Sequence, residues 1–301
     1  MTGGPQRASL PPAPTTQEAA ELAAEYGLRT LSERPPLGRY LADIWQRRSF
    51  LWTLSSAESY AKNEDNRLGQ LWAVLNPALL IASYYAIFGL LLQTDRGISN
   101  FVGFLAIGVV MFSFTSTVVT RGAKSITGKL SLVRALHFPR AILPISVALT
   151  EFIASLPAFA LLFVLMVLTG EVPDWEWALF PLAVLLQGVA LLGVAFIAAR
   201  LVNVSRDLGN LIPVIVRLLR YVSGVFFPVV HYAQNLPPVF QDLVVYQPFA
   251  LMLNIGRQSL LTGEGNGVVL RDWLMMTAWA IGLAVVGLIV FWWDEARYGR
   301  G

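Results

Sequence analysis

Long apolar runs separated by short polar segments dominate the chain, and six of the runs are long enough to cross a bilayer. A helix rises 1.5 Å per residue, so about 20 apolar residues cover the ~30 Å hydrocarbon core. The six runs cover residues 71–92, 101–120, 141–169, 178–199, 208–230 and 273–293. The pattern therefore predicts an all-α polytopic membrane protein with six transmembrane helices, a domain over 71–301.

The composition agrees with that class and excludes others. Hydrophobic residues make up 55% of the chain and charged residues only 14%, against about 25% charged in soluble domains. Cysteine is absent, so disulfides and thiolate metal sites are excluded. A net charge of +3 is too small to indicate nucleic-acid binding.

The distribution of basic residues predicts the orientation in the membrane, because Lys and Arg concentrate in cytosolic segments. With the N-terminus inside, 17 basic residues fall in cytosolic segments and only Arg96, Arg257 and Arg271 fall outside. Both termini are therefore expected in the cytosol.

Two further segments are predicted to lie at the membrane surfaces. Residues 39–54 mix aromatic and basic side chains (Trp45, Arg47, Arg48, Trp52), which is typical of an amphipathic helix in the cytosolic interface. The alternative is a soluble helix packed on a partner. We expect a disordered cytosolic tail over 1–38, an interface helix and linker over 39–70, and two short outer helices within 231–270, broken near Gln247–Pro248.

The sequence contains no recognisable nucleotide-binding, metal-binding or catalytic motif. The stretch "GAKSITGKL", 122–130, fails the phosphate-loop pattern because five residues separate its glycines and Leu130 follows Lys129. His137 and His231 stand alone, with no second metal ligand or catalytic partner nearby in sequence. We therefore expect neither a nucleotide site nor a metal site nor a catalytic group.

Several stretches are distinctive when taken in order: "NRLGQLWAVLNP" (66–77), "LVRALHFPRAILPIS" (132–146), "SRDLGN" (205–210), "SGVFFP" (223–228) and a final "YGRG". Over residues 40–301 the chain resembles the membrane subunits of ABC-2 type polysaccharide exporters, which move O-antigen, teichoic acid or galactan chains. The resemblance implies a multi-pass protein of the bacterial plasma membrane that exports a lipid-linked polysaccharide.

The resemblance also implies partners and an arrangement of parts. Two copies of such a subunit pair with two copies of a separate ATPase, which would hold the ATP and Mg. An amphipathic helix precedes the first span, and short gating helices lie between the fifth and sixth. The inner loop after the second span docks on the ATPase, so the coupling residues expected in 121–140 are Lys129, Arg134, His137, Phe138, Pro139 and Arg140.

Two arginines, Arg217 and Arg220, interrupt the fifth run on one helical face. Near the middle of the hydrocarbon layer each costs at least ~2.5 kcal/mol. Glu151 lies at a similar depth in the third run, which predicts a Glu151–Arg217 ion pair. Arg220 would then suit a passing lipid diphosphate, because guanidinium binds phosphate through paired hydrogen bonds. The alternatives for Arg220 are snorkelling or bonds to backbone carbonyls or Gln187.

Aromatic residues of the first and fifth runs offer flat faces to sugar rings, although membrane helices are rich in aromatics anyway. The candidate channel residues of this kind are Tyr84, Tyr85, Phe88, Tyr221, Phe226 and Phe227. Two other functions stay open: ABC-2 efflux of a small lipid or drug, and, more remotely, a membrane-embedded glycosyltransferase.

Overall fold

The computed structural model describes residues 15, 17, 18, 21, 25, 35–62, 68–93, 98–135, 138–262, 267–295 and 298. The chain divides into two units, 1–35 and 36–301. In the first unit the backbone N–H of Thr15 donates to the Glu18 carboxylate over 2.8 Å. The tail predicted over 1–38 falls largely outside the described residues, and it stays a prediction. All elements below belong to the second unit.

Helices account for the regular structure of the described residues. They are α1 (Leu37–Gln46), α2 (Arg48–Ala61), α3 (Trp72–Tyr84), α4 (Phe101–Ala123), α5 (Leu130–Ala135), α6 (Ile142–Leu168), α7 (Phe180–Val204), α8 (Leu208–Val222), α9 (Val229–Ala233), α10 (Pro238–Val245), α11 (Pro248–Leu260) and α12 (Leu270–Trp293). A π-helical segment, Tyr85–Leu91, extends α3. This part of the chain contains no strand, which confirms the predicted all-helical class.

Five helical segments are long and apolar enough to cross a membrane: Gly69–Leu91, Phe101–Ala123, Ile142–Leu168, Trp175–Val204 and Leu270–Trp293. Their ends fall within five residues of those of five predicted runs. Hydropathy locates these segments well because each is a continuous apolar stretch bounded by polar or helix-breaking residues.

The sixth predicted run, 208–230, does not form a helix of that length. Its helix, α8, has 15 residues and is therefore roughly 22 Å long. The helix stops because Gly224 adopts a φ of +78°, a left-handed conformation that glycine tolerates. Pro228 then begins a further change of direction. The structure therefore contains five helices of spanning length among its described residues, where the sequence predicts six.

The backbone after α8 leaves the helix while still buried, so its free carbonyls need partners. The Gln247 side-chain amide donates to the Val222 carbonyl over 3.0 Å. Nη2 of Arg257 donates to the carbonyls of Gly224 and Val225 over 2.8 and 3.3 Å. Side chains from the following helices therefore stabilise the point where α8 ends.

The segment between α8 and α12 was predicted to hold two short helices broken near Gln247–Pro248. The structure has three, α9, α10 and α11, and the last begins at Pro248. Proline suits the first turn of a helix because its missing N–H needs no partner there. Most of α11 is buried, from Ala250 to Leu260 apart from Asn254, so this helix packs into the bundle.

The core forms around α4, which contacts α6, α7, α8 and α11. Of the 18 most apolar consecutive residues of α4, 78% are buried, against 11% for the corresponding stretch of Gly69–Leu91. The most extensive helix–helix contact in the described residues is that of α7 with α12. A Cβ added to Gly287 would lie 2.2 Å from the carbonyl oxygen of Gly193, so these backbones touch directly, as small residues allow in membrane helices.

Candidate functional site

The two arginines of α8 lie on its polar face, opposite exposed apolar side chains such as Leu218. Arg220 is half-buried, and its Nη1 donates to the Tyr84 hydroxyl over 2.9 Å. Its guanidinium carbon lies 5.3 Å from the centre of the Phe112 ring. The predicted alternative of a bond between Arg220 and Gln187 is wrong. Gln187 donates to the carbonyl of Met111 over 2.8 Å.

A cavity of about 340 Å³ opens beside these arginines. It is lined by Tyr84, Ser116, Thr120, Pro213, Arg217, Arg220 and Tyr221. Among the described residues, no carboxylate lies within 4.0 Å of a side-chain nitrogen of Arg217 or Arg220. The cavity therefore presents two cations without a protein counter-ion among the described residues. It also contains four hydroxyl groups, of which that of Thr120 already donates to the Ser116 carbonyl over 2.6 Å.

Glu151 does not form the predicted ion pair with Arg217. Its side chain is 4% exposed, and its Oε1 lies 2.6 Å from Nζ of Lys62 and 3.2 Å from Nη1 of Arg121. Lys62 follows the last residue of α2, and Arg121 lies in the last turn of α4. Because Glu151 already pairs with two cations, it neutralises neither Arg217 nor Arg220.

A second, larger cavity of about 690 Å³ adjoins the first, since both are lined by Thr120 and Pro213. Its charged lining residues are Glu58, Lys62, Arg121, Lys124, Lys129 and Glu151. Four cations against two carboxylates leave two positive charges in excess. Burial lowers the pKa of Lys62, although the hydrogen bond to Glu151 acts in the opposite direction. This cavity lies at the end of α4 that the charge distribution assigns to the cytosol.

The six aromatic residues predicted to line a channel divide into three groups. Tyr84 and Tyr221 line the smaller cavity. Phe226 does not: it is 1% exposed and stacks on Phe88, with ring centres 4.4 Å apart. Phe227 packs edge-on against the same Phe88 ring. These phenylalanines form an apolar cluster that packs the segment after α8 against the π-helical extension of α3.

Tyr85 occupies a different place again. It is half-buried in the π-helical extension of α3. A Cβ added to Gly89 would lie 2.9 Å from the Tyr85 ring. The ring therefore lies against the backbone of its own helix, and Tyr85 is not among the residues that line the cavity.

The predicted interface helix over 39–54 forms as two helices, α1 and α2, which meet at Arg47. Trp45 and Trp52 are 70% and 60% exposed. The guanidinium carbon of Arg48 lies 5.4 Å from the Trp45 ring centre. On the opposite face Ser55 is buried and donates to the carbonyl of Ser146 in α6 over 3.1 Å. One side of the pair thus packs on the bundle while the other exposes the aromatic and basic residues.

The predicted coupling loop, 121–140, is tied to the bundle at two points. Lys129 pairs with Glu58 of α2. The backbone N–H of Arg140 donates to Oε1 of Glu295 over 2.8 Å, and its Nη1 donates to the Glu295 carbonyl over 2.8 Å. Phe138 is half-buried and Pro139 buried, whereas Arg134 is exposed. His137 lies outside the described residues.

Glu295 is the centre of a buried cluster that the sequence did not reveal. The Tyr40 hydroxyl of α1 donates to its Oε2 over 2.7 Å. Burial raises the pKa of the Glu295 carboxyl, although its hydrogen bonds with Arg140 and Tyr40 act in the opposite direction. Tyr298, from the final "YGRG", is fully buried against Phe291. The only sequence signal for the cluster was the distinctive C-terminal motif.

Five apolar helices of spanning length among the described residues, with a basic and hydroxyl-rich cavity lined by α3, α4 and α8, are typical of a polytopic membrane transport protein. Residues 50–261 match the family model described as ABC-2 type transporter. The chain belongs to this family and is a multi-pass membrane permease.

Named relatives agree with the family. The chain is 32% identical over 193 residues to the O-antigen export system permease protein RfbA of Myxococcus xanthus, covering 63% of this chain and 72% of that protein. It is 26% identical to RfbA of Klebsiella pneumoniae, covering 84% and 92%. It is 24% identical to the polysialic acid transport protein KpsM of Escherichia coli, covering 70% and 81%.

Proposed function

We propose that the chain is the channel-forming subunit of an exporter that moves a lipid-diphosphate-linked polysaccharide across the bacterial plasma membrane. A separate ATPase subunit, present in two copies, supplies the energy, and two copies of the permease form the channel. The names of the relatives support a polysaccharide cargo. The single observation that carries the diphosphate is the cavity lined by Arg217 and Arg220, in which neither arginine has a carboxylate partner among the residues that the structure describes.

The charges support a route for the diphosphate. The larger cavity has an excess of two positive charges at the cytosolic end of α4, and it shares Thr120 with the smaller cavity. A diphosphate that enters the larger cavity from the cytosol would next meet Arg217 and then Arg220, one turn further along α8. Because guanidinium binds phosphate through paired hydrogen bonds, both arginines suit this ligand. The Tyr84 hydroxyl holds Arg220 in position.

Exposure of α3 and α8 supports the homodimer. These two helices contribute three of the cavity's key side chains, Tyr84, Arg217 and Arg220. Both also expose apolar side chains, among them Leu79 of α3 at 54% and Leu218 of α8 at 63%. A second copy packed against these helices would cover that surface and close the open side of the cavity.

The sixth crossing also belongs to this proposal. We infer that α8, with the stretch 223–228 after it, of which 223–226 is buried, enters the membrane from the cytosolic side and that α9, α10 and α11 form the outer gate. Both termini then lie in the cytosol. The support is the distribution of 17 basic residues against three and the side-chain bonds that satisfy the backbone where α8 ends.

The ATPase is proposed to dock on the loop between α4 and α6. Arg140 and Lys129 anchor that loop to the permease itself, so they position it, while α5 with the exposed Arg134 offers the contact surface. Nucleotide binding and hydrolysis then take place on the partner. The interface helices α1 and α2 lie next to this loop through the Lys129–Glu58 pair.

Arg220→Gln tests the function in the assembled complex. We expect export of the lipid-linked glycan to slow about tenfold or more, because a charge-assisted hydrogen bond contributes ~1.5–3 kcal/mol. Thermal stability should change little, since the variant loses one bond to a half-buried tyrosine. Arg220→Lys should rescue export only in part. Arg206→Gln, an exposed arginine before α8, is the matched control and should export normally.

Normal export by Arg220→Gln would show that the diphosphate does not bind to Arg220 in this cavity. If the assembled complex exported small amphiphiles and left the glycan inside, the polysaccharide cargo itself would be wrong. Glycosyl transfer by the purified permease without its ATPase would place the protein in an enzyme class instead.

A further inference from the structure

A third cavity, of about 290 Å³, lies at the opposite end of α4 from the cytosolic one. Its polar lining residues are Ser99, Asn100, His231, Asn254 and Arg257. Arg257 is 7% exposed, and its guanidinium carbon lies 3.4 Å from the centre of the Phe104 ring. Among the described residues no carboxylate lies within 4.0 Å of its side-chain nitrogens. A buried cation without a counter-ion is costly.

The hydrogen bonds of Arg257 leave part of its capacity unused. All of its hydrogen bonds to protein run from Nη2, to the carbonyls of Gly224, Val225 and Phe104. Nε is buried and has no partner. The hydrogen bonds to protein therefore use only Nη2, one of the three nitrogens of the guanidinium group. Gly108 leaves room for this arrangement, because a Cβ there would lie 2.8 Å from Nη2.

Two buried carboxylates at the same end of the bundle could have neutralised Arg257, yet both are bonded elsewhere. Asp272 accepts from the side-chain amides of Asn254 and Gln258, each over 2.7 Å. Glu171 accepts from the Asn100 side chain over 2.8 Å. These carboxylates orient the amides of the cavity wall and leave the positive charge of Arg257 uncompensated.

We propose that this cavity binds a phosphate group on the outer side of the membrane. Arg257 supplies the charge, and Ser99, His231 and the second N–H of Asn254 supply hydrogen-bond donors. Phosphate fits this set because guanidinium binds its oxygens strongly, whereas an uncharged sugar does not offset a buried cation. Two sources share the chemistry: a phospholipid headgroup, and the diphosphate of the exported glycan. Only the second source rests on the proposed function.

The test uses the full-length permease in maltoside detergent micelles, which contain no phosphate, without transport. Two probes are titrated: phosphatidylglycerol added to the micelles, and methylenediphosphonate in solution. Binding is read from the thermal unfolding midpoint and from retained ligand by native mass spectrometry. Arg257→Gln removes the charge, and Ala250→Leu, at a buried lining position, fills the cavity while keeping the arginine. Arg271→Gln is the control, an exposed arginine at the same end of the bundle.

We expect both cavity variants to weaken binding tenfold or more, since a charge-assisted bond is lost or blocked, and the control to bind normally. Loss confined to phosphatidylglycerol assigns the site to a lipid headgroup; loss for both probes assigns it to a free diphosphate as well. If Arg257→Gln does not fold, Ala250→Leu decides. Wild-type protein that binds neither probe, or variants that bind as wild type, would overturn the site even if export is normal.

Discussion

Replacing Glu151 by Gln should destabilise the permease by stranding the cation of Lys62. The two partners differ in exposure: the Lys62 side chain is 18% exposed and that of Arg121 is 57% exposed. Arg121 can therefore regain water, while Lys62 stays largely enclosed. Breaking a buried pair costs ~3–5 kcal/mol, and residual solvent at Lys62 reduces our expectation to about 2–3 kcal/mol.

A loss of that size should lower the thermal unfolding midpoint of the detergent-purified permease by roughly 5–10 °C. Lys62→Met in the Glu151→Gln background should restore most of it, because removing both charges of a buried pair is often nearly neutral. Arg121→Gln alone should cost under about 1 kcal/mol, as exposed pairs do. The double-mutant cycle isolates the Lys62–Glu151 coupling.

The outcome that would refute this reasoning is specific. Rescue of Glu151→Gln by Arg217→Gln, and not by Lys62→Met, would mean that the pair predicted from sequence exists in the folded protein. An unchanged midpoint for Glu151→Gln would mean that the carboxylate is not holding Lys62 at all.

Three other predictions concern packing and positioning. Gly287→Ala should lower the unfolding midpoint by several degrees because its Cβ would overlap a backbone carbonyl of α7, whereas Gly282→Ala, with open space around it, should not; equal effects would contradict the close approach. Glu295→Ala removes the side-chain acceptor of the Arg140 N–H and should loosen the coupling loop, so proteolysis of that loop should become faster and ATP hydrolysis by the assembled complex should respond less to substrate; unchanged cleavage would contradict this role. A fluorophore at Trp45, 70% exposed, should be quenched by shallow lipid-attached quenchers; quenching only from water would place α1 away from the membrane.

The sequence by itself was sufficient for the five long spans, the helical class and the family. These follow from local quantities: apolar stretches have the length that the bilayer requires, and the motifs are read in order along the chain. The i, i+3 spacing also placed Arg217 and Arg220 on one face of α8. That face does line a polar cavity, together with Tyr84 and Tyr221.

The end of α8 was harder to predict because hydropathy continues past it. Residues 223–228 are as apolar as the helix before them, so the run predicted a span to 230. The helix stops where Gly224 turns left-handed. This turn can be buried because Arg257, distant in sequence, donates to the freed carbonyls of Gly224 and Val225.

Only the tertiary structure decided which charges meet. Glu151 and Arg217 were matched by depth along their helices, but depth does not determine the direction in which a side chain points around the helix axis. Packing of α2 on α6 brings Lys62 to Glu151, and the end of α4 adds Arg121. The same is true of Glu295, whose partners Tyr40 and Arg140 lie 255 and 155 residues away. Such contacts depend on how helices pack around one another, which a local pattern of apolar and polar residues does not encode.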